Sequence, residues 1–400
     1  MKKLLIVAMA PSVHVGRWIQ QINDQGWDIH LFDPGDTEPK LYHDKIQNVT
    51  VYHSVFQKRL ENVRQRGLFI PILPGFWLLP DLIRHYYQIR RPAYWAKRFA
   101  RLVDELEPDA IHIIEFQHSG YFFLDAKQYI KKTLPPLILT NWGNDIFLFD
   151  NIEKHKANIR ELLEISNYYD CECERDVVLA KELGFKGTSW PVFPNTGGHD
   201  INEITPLRQQ EPISERRIIM LKGYQSWQGR SLFALKALER MPELLQNYKI
   251  VVFSAFQEEV QIAVELFRKR TGIEIEALIR VTHEEVMRYF GQSRIYLCSN
   301  ISDGLNTAMG EAITMGAFPV ITGTSCADEW LVDGETGIII QDPEDIDEIE
   351  RAMRRALTDD AMVNHAAEQN YLIAEKRLNE ETIRPMVVDL YEKAFAREEL

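Results

Sequence analysis

The sequence predicts an α/β protein built from two domains, each a parallel β-sheet with helices on both faces. The chain has 400 residues, which is more than one ordinary domain needs and enough for two. Short apolar runs alternate with longer amphipathic stretches in both halves, as strands and helices do in parallel sheets. Residues 191–206, PVFPNTGGHDINEITP, are rich in Pro, Gly and Asn, a composition typical of a linker.

In the first half, short apolar runs bounded by turn residues predict four buried strands. They cover Leu4–Ala8, Ile29–Phe32, Ala110–Ile114 and Leu137–Asn141. Val15–Gln25 and Trp95–Leu106 are the clearest helices between them, because their apolar residues recur at helical spacing. The apolar start of the chain has a core of only about six residues before Pro11, which fits a first strand better than a secretory signal.

The second half repeats the alternation of strands and helices. Its predicted strands are Ile218–Leu221, Ile250–Ser254, Ile273–Leu278 and Ile295–Cys298, and its predicted helices are Ser231–Met241, Glu258–Thr271, Thr282–Gln292 and Leu305–Met315. We therefore expect one domain at 1–195, a second at 196–380, and a C-terminal helix at 381–400 that packs back on the first domain. Ligands of such sheets bind outside the carboxyl ends of the strands, so we expect the active site in the cleft between the domains.

Composition excludes several classes of protein. No run of eighteen apolar residues occurs, so no segment is predicted to span a membrane. Cys171 and Cys173 have no second pair or nearby histidine, which argues against zinc, and free thiols fit a cytoplasmic location. The first strand-to-helix turn, APSVHVGR, lacks G-x-G-x-x-G and gives no support to a nicotinamide cofactor.

The segment SDGLNTAMGE, at 302–311, carries the most specific functional pattern. Asp303 lies in a strand-to-helix turn, and Glu311 follows eight residues later on the predicted helix. Exposed N–H groups at the start of a helix bind anions, and carboxylates accept hydrogen bonds from sugar hydroxyls. These N–H groups belong to Leu305, Asn306 and Thr307, which follow Gly304 in the turn. The pattern therefore predicts a nucleotide-sugar pocket, and the alternative is an Asp303 that only caps the helix beside a solvated Glu311.

The residues after Glu311 strengthen the first interpretation. The order of segments from Glu311 onward resembles the C-terminal half of retaining GT-B glycosyltransferases of family 4. The segments are EAITMGAFPV, Glu329-Trp330, and DGETG before the apolar run Ile338–Ile340. The first carboxylate of that family's pattern is usually Glu and is Asp303 here. The resemblance implies two Rossmann-like domains that face each other, a nucleoside-diphosphate-sugar donor and no metal or other cofactor. It further implies that Glu311 accepts hydroxyls of the nucleotide ribose and that Asp303 acts near the sugar.

The resemblance also implies donor contacts in the first domain. Relatives often carry a glycine-rich loop near the donor diphosphate, and Ser12 occupies that turn here. Relatives keep a histidine near the end of the strand that corresponds to Ala110–Ile114, where it contacts the donor sugar. Glu115 and His118 are both candidates for this role in the present chain. An ordinary loop residue is the alternative for His118.

Two cations that neutralise the diphosphate in relatives are replaced here by Tyr224 and Gln228. Lys222 and Arg230 are the nearest cations, and Arg230 is the preferred candidate because the next helix begins there. Arg280 lies where relatives bind the nucleobase through backbone groups, with a solvated loop residue as the alternative.

Residues 58–101 reverse the charge of the chain. Ten Lys and Arg against Glu61 and Asp81 give this window +8, whereas the whole chain has a net charge of −13. Aromatic residues and the apolar run GLFIPILPGFWLLP lie in the same window, a mixture that suits an anionic membrane surface. RNA binding uses similar residues, but no recognised RNA-binding motif is present and no nucleic acid is expected. An amphipathic insertion that packs on its own domain is the alternative.

These observations together predict a retaining glycosyltransferase at the cytoplasmic face of a membrane. We expect transfer of a sugar from a nucleoside-diphosphate-sugar to a lipid-linked or glycan acceptor in cell-envelope polysaccharide synthesis, such as lipopolysaccharide. A nucleotide-sugar 2-epimerase of the same fold and a non-catalytic membrane-associated scaffold are the alternatives. The sequence leaves the sugar, the base and the oligomeric state open.

Overall fold

The computed structural model describes residues 1–37, 46–56, 58–70, 78–90 and 93–397, with only the backbone for 87–90. The chain divides into two compact units. Unit 1 comprises Met1–Gly197 and Ile383–Leu400, and unit 2 comprises Gly198–Thr382. The limits of the units lie about two residues beyond the predicted domain limits, inside the Pro- and Gly-rich linker and near the start of the C-terminal helix.

Unit 1 contains an eight-stranded sheet whose paired strands are all parallel. The strands are β1 (Lys3–Val7), β2 (Asp28–Phe32), β3 (Val49–Phe56), β4 (Val63–Phe69), β5 (Ala110–Ile114), β6 (Leu137–Thr140), β7 (Tyr168–Asp170) and β8 (Thr188–Ser189). Its helices are α1 (Val13–Gln20), α2 (Leu79–Arg90), α3 (Ala93–Leu106), α4 (Tyr121–Lys127), α5 (Asn144–Phe147), α6 (Glu153–Ile165) and α7 (Glu174–Glu182). The sheet order is β4-β3-β2-β1-β5-β6-β7-β8, with apolar clusters on both faces.

Unit 2 contains a six-stranded parallel sheet in the order β11-β10-β9-β12-β13-β14. The strands are β9 (Ile218–Lys222), β10 (Lys249–Phe253), β11 (Glu274–Leu278), β12 (Ser293–Cys298), β13 (Phe318–Thr322) and β14 (Ile338–Ile340). The helices are α8 (Ile201–Ile204), α9 (Ser231–Leu238), α10 (Pro242–Leu245), α11 (Glu258–Thr271), α12 (His283–Gln292), α13 (Thr307–Met315), α14 (Ile346–Thr358), α15 (Asp360–Arg377) and α16 (Glu380–Ala396), the last of which continues into unit 1.

The predicted strands are all present with ends within about two residues, but three predicted helices were too long by two residues or more. The helix predicted at Ser231–Met241 ends at Leu238, where the N–H groups of Arg240 and Met241 donate to the carbonyls three residues before them. The helix predicted at Val15–Gln25 ends at Gln20, because the N–H groups of Gln21 and Ile22 donate to the carbonyls three residues before them. The helix predicted at Leu305–Met315 begins at Thr307, because the side chain of Asn306 accepts the Met309 N–H and caps it.

The basic window packs in part on unit 1 itself. Part of it is β4, a polar edge strand paired with β3, whose weak apolar alternation hid it in the sequence. Arg84, one of the ten cations counted toward a membrane surface, has a side chain that is only 10% exposed. It donates to the Val55 carbonyl at 2.9 Å and to Asp81 at 2.8 Å. Phe76, Trp77 and Arg91, and the side chain of Arg90, lie outside the described residues.

Helix α16 packs on the sheet of unit 1 through a chain of buried polar groups. The Tyr391 hydroxyl accepts from Trp18 Nε1 at 2.8 Å and lies 2.5 Å from His112 Nδ1. His112 Nε2 lies 2.6 Å from the Thr140 hydroxyl, which donates to Asp170 at 2.8 Å. Burial lowers the pKa of His112 to about 3 and raises the pKa of Asp170 to about 8. A buried polar chain of this kind fixes where the helix sits, because each member needs its partner.

Within the described residues, no helix combines the length and the apolar character that crossing a membrane requires. All four cysteines are buried free thiols.

Candidate nucleotide-sugar site

The topology of unit 2 points to one place for a ligand. Along the chain the strands run outward from β9 through β10 to β11, and then return to the other side of β9 at β12. Ligands of doubly wound sheets bind outside the carboxyl ends of the strands at such a switch point. Lys222 ends β9, and Asp303 follows the end of β12, so these two residues flank the switch point.

Asp303 holds the turn that follows β12. Its carboxylate accepts from Asn300 Nδ2 at 3.3 Å, from Asn306 Nδ2 at 3.0 Å and from the Gly304 N–H at 3.1 Å. Asn306 in turn accepts from the buried Tyr296 hydroxyl at 2.8 Å. Burial raises the pKa of Asp303, and Lys222 and the two asparagines oppose that rise. Asp303 therefore organises the turn, whereas the cap of α13 is Asn306.

The same turn presents backbone donors. The N–H groups of Leu305, Asn306 and Thr307 donate to no acceptor within the part of the chain that the structure describes. Leu305 and Asn306 are buried, and buried N–H groups nearly always have a partner, which a bound ligand or water supplies when protein does not. Because α13 begins at Thr307, its positive dipole end adds to the attraction for an anion.

Lys222 brings a buried positive charge to this turn. Its ammonium lies 3.8 Å from Asp303 Oδ2 and 4.6 Å from the centre of the Tyr224 ring, and its side chain is 9% exposed. Burial alone would lower the pKa of Lys222, but Asp303, with smaller contributions from Cys298, Tyr224 and Glu311, raises it above its usual value. Lys222 therefore stays protonated at neutral pH.

Glu311 lies on α13 with its side chain only 9% exposed, which excludes the solvated glutamate that was weighed for it. One carboxylate oxygen lies 2.8 Å from Nε2 of His283 at the start of α12. No sequence pattern singled out His283. Thr282 and Glu285 form the capping box that fixes His283 as the first residue of that helix.

The other two predicted cations of unit 2 are placed differently. Arg230 precedes α9, pairs with Glu344 and donates to the carbonyls of Ser226 at 3.1 Å and Gly229 at 2.9 Å. These bonds close the loop after β9. Arg280 lies after β11 and is exposed. The structure thus brings Lys222, rather than Arg230, to the turn that contains Asp303.

Unit 1 has its own switch point between β1 and β5. Ser12 follows β1 at the cap position of α1, and Glu115 and His118 follow β5. Glu115 has a left-handed backbone with φ +76°, and its carboxylate accepts the N–H groups of Gln117, His118 and Ser119 at 2.6–3.1 Å. These bonds fix the π-helical turn Phe116–Gly120.

His118 is the accessible member of this pair. Its side chain is 69% exposed, whereas that of Glu115 is 6% exposed, and Nδ1 lies 3.3 Å from the carboxylate. The hydrogen bond to Glu115 raises the pKa of His118. Asp145 lies beneath them, where burial and the Glu115 charge raise its pKa well above the usual value. Glu115 thus orients His118, and His118 is the side chain that can reach a ligand.

Comparison with known proteins agrees with this architecture. Residues 204–373 match the family described as glycosyl transferases group 1. A curated relative, an uncharacterized glycosyltransferase of Methanocaldococcus jannaschii, is 21% identical over 84% of this chain and 83% of its own length. The match covers most of unit 2, and the chain has the GT-B fold of glycosyltransferases. The predicted fold class and family are therefore confirmed.

Solved structures resemble the transferase along its whole length. Sucrose-phosphate synthase from Thermosynechococcus elongatus has a TM-score of 0.72 and 13% identity, with all of both chains covered. Anabaena HepE, solved with UDP-glucose, has a TM-score of 0.66 and 14% identity over 98% of this chain and all of its own. Trehalose 6-phosphate synthase from Burkholderia multivorans has a TM-score of 0.69 and 13% identity over all of both chains. At these identities the likeness shows the shared fold.

Proposed function

We propose that the protein is a retaining glycosyltransferase that takes its donor, a nucleoside-diphosphate-sugar, at the switch point of unit 2. One observation carries the proposal. Among the described residues, the three backbone N–H groups at 305–307 have no protein acceptor. Asp303 of the same turn lies 3.8 Å from the Lys222 ammonium, and Glu311 lies farther along α13. The N–H groups and the ammonium suit a diphosphate, and Glu311 suits the ribose hydroxyls. Backbone dipoles and a lysine balance the phosphate charge, so the proposal requires no metal.

Retention of anomeric configuration follows from the family resemblance. The residues of the chain offer a route that needs no covalent nucleophile. The diphosphate leaves toward the N–H groups at 305–307 and Lys222. The acceptor oxygen attacks the same face, and its proton passes to the leaving phosphate. HepE has been solved with UDP-glucose and with UDP and glucose, and a donor of this chemical class is what we propose here.

We further propose that the acceptor is lipid-linked or a glycan of the cell envelope, met at the cytoplasmic face of an anionic membrane. The support is a surface of unit 1 that we call the β4–α3 face. A recess of about 640 Å³ on this face is lined in part by Leu68, Leu82 and Tyr86, whose exposed fractions are 57%, 61% and 52%. The cations Arg66, Lys97, Arg98 and Arg101 line a neighbouring recess of about 660 Å³, and Glu105 is the acidic residue in its lining.

A combined binding and product assay tests the proposed activity. A thermal-shift screen against UDP-, GDP-, ADP- and CMP-sugars identifies the donor, because a ligand at 100 times its Kd stabilises the fold by about 2.7 kcal/mol. The donor that binds is then incubated with lipid-linked oligosaccharide, and NMR reads the anomeric configuration of the product. Retention supports the proposal, and inversion contradicts it. Epimer formed without acceptor would indicate the 2-epimerase, and neither binding nor turnover would indicate the scaffold.

A further inference from the structure

Two departures from the family pattern meet at one side chain. The position where relatives carry the first diphosphate cation holds Tyr224, and the position of the first carboxylate holds the shorter Asp303. In the structure both residues contact Lys222, whose ammonium lies over the Tyr224 ring at 4.6 Å and 3.8 Å from Asp303 Oδ2. The two substitutions therefore form the surroundings of a lysine at the end of β9.

We infer that Lys222 is the cation of the diphosphate subsite and that Asp303 is its positioning residue. The inference rests on the proposed function and assigns roles within it. It replaces the expectation that Arg230 neutralises the diphosphate and that Asp303 acts directly on the sugar.

The surroundings of Arg230 support the assignment of the diphosphate cation to Lys222 in its place. Its guanidinium pairs with Glu344 and donates to two carbonyls of its own loop, so binding a phosphate would break these bonds. Lys222 has a carboxylate and an aromatic face around it, and both are interactions that hold an ammonium in place. Lys222 also ends β9 at the switch point and lies 3.8 Å from Asp303, whose turn leads into the N–H groups at 305–307.

The bonds of Asp303 explain its own part. Its two oxygens already accept from Asn300, Asn306 and Gly304 in addition to facing Lys222. A buried lysine without such a partner loses its proton readily, because burial disfavours the charged form. Asp303 thus keeps Lys222 charged and fixes its direction.

The first test compares affinities for a nucleoside diphosphate and for its nucleoside. UDP, GDP and ADP are titrated against the full chain by calorimetry, each beside uridine, guanosine or adenosine. Lys222→Met should weaken the diphosphate that binds wild type by about tenfold or more and change the nucleoside less than twofold. Arg230→Met is the matched control and should leave the ratio of the two affinities unchanged. The inference is overturned if Arg230→Met, and not Lys222→Met, lowers that ratio.

The second test separates positioning from sugar contact. Asp303→Asn should make diphosphate affinity fall as pH rises from 7.5 to 9.5, because burial then lowers the pKa of Lys222 without its main opposing charge, whereas wild-type affinity stays flat. Glu311, Cys298, Tyr224 and Tyr296 also face this region, so Lys222→Met/Asp303→Asn serves as the reference.

The double variant removes both charges together and should show low affinity without this pH dependence. A Lys222→Met protein that fails to fold leaves the double variant to decide, since it contains no unpaired buried charge. Asp303→Asn with pH-independent diphosphate affinity but weakened nucleotide-sugar binding would make Asp303 a sugar contact and overturn its positioning role. Wild type that binds no nucleotide at all would instead reject the proposed function itself, and the inference with it.

Discussion

Glu311 on α13 and His283 at the start of α12 are joined by a 2.8 Å contact between a carboxylate oxygen and Nε2. The glutamate is 9% exposed and the histidine 56% exposed, so the imidazole covers the carboxylate from the solvent side. The contact holds two neighbouring helices in register and fixes the rotamer of the residue that we propose binds the ribose. Pre-organisation of this kind lowers the entropy cost of binding a ligand.

We predict that Glu311→Gln weakens donor binding by about tenfold and leaves the fold intact. The substitution keeps the shape of the side chain but replaces a charged acceptor by a neutral one, which costs roughly 1 kcal/mol or more per hydrogen bond. Calorimetric Kd values for the donor measure the effect, and the melting temperature checks the fold. Glu284→Gln makes the same change at an exposed residue of α12 and should bind as wild type does. Equal affinities for Glu311→Gln and wild type would remove Glu311 from the site.

We predict that Glu115→Gln lowers the pKa of His118. The hydrogen bond to the Glu115 carboxylate is the main cause of the raised value, and an amide carries no charge to stabilise imidazolium. NMR titration of the imidazole signals measures the change, and His155, which bonds Tyr121 instead, should titrate as before. Any activity that requires protonated His118 should then fall off at lower pH in the variant. An unmoved His118 titration would contradict the pairing.

We predict that the β4–α3 face binds anionic vesicles in a salt-dependent way. Each Lys or Arg near such a surface contributes about 1 kcal/mol, and the attraction decays within a Debye length. Arg66→Glu/Lys97→Glu/Arg101→Glu should abolish flotation with vesicles that contain phosphatidylglycerol, without altering donor affinity. Lys154→Glu/Lys181→Glu/Lys186→Glu applies the same change of charge to other exposed residues of unit 1 and should retain most of the binding. Wild type that ignores anionic vesicles at low salt would favour a soluble acceptor.

We predict that Asp170→Asn gains stability relative to wild type as pH rises from 5 to 8. The folded pKa of Asp170 is about 8, above the unfolded value of about 3.9. The folded state therefore keeps a proton that the unfolded state loses, and wild type loses stability by up to about 1.4 kcal/mol per pH unit across this range. Urea unfolding at pH 5, 6.5 and 8 measures the difference. Asp125→Asn, at an exposed position, is the control. Parallel pH profiles for Asp170→Asn and wild type would contradict the assignment.

Sequence patterns located the strands well, because a buried parallel strand is a short continuous apolar run with few alternatives. They located helix ends less well, since the end is decided by single hydrogen bonds such as that of Asn306 to Met309. They missed β3, β4, β7 and β8 of unit 1. β4 is an edge strand that reads VRQRGLF and carries polar residues on exposed positions, and β7 and β8 have only three and two residues. Arg84 illustrates the same limit, since nothing in a charge count says that a guanidinium will turn inward to the Val55 carbonyl.

The sequence by itself determined the fold class, the two-domain division and the family, because periodicity, a linker and the 302–337 pattern are all local signals along the chain. It also singled out Asp303 and Glu311. The tertiary structure decided which charged side chains contact Asp303 and Glu311. Lys222 reaches Asp303, Arg230 turns to Glu344, and His283 covers Glu311, across separations of 81, 114 and 28 residues. Contacts over such distances depend on which strands neighbour one another in the sheet, and that order is absent from any local pattern of residues.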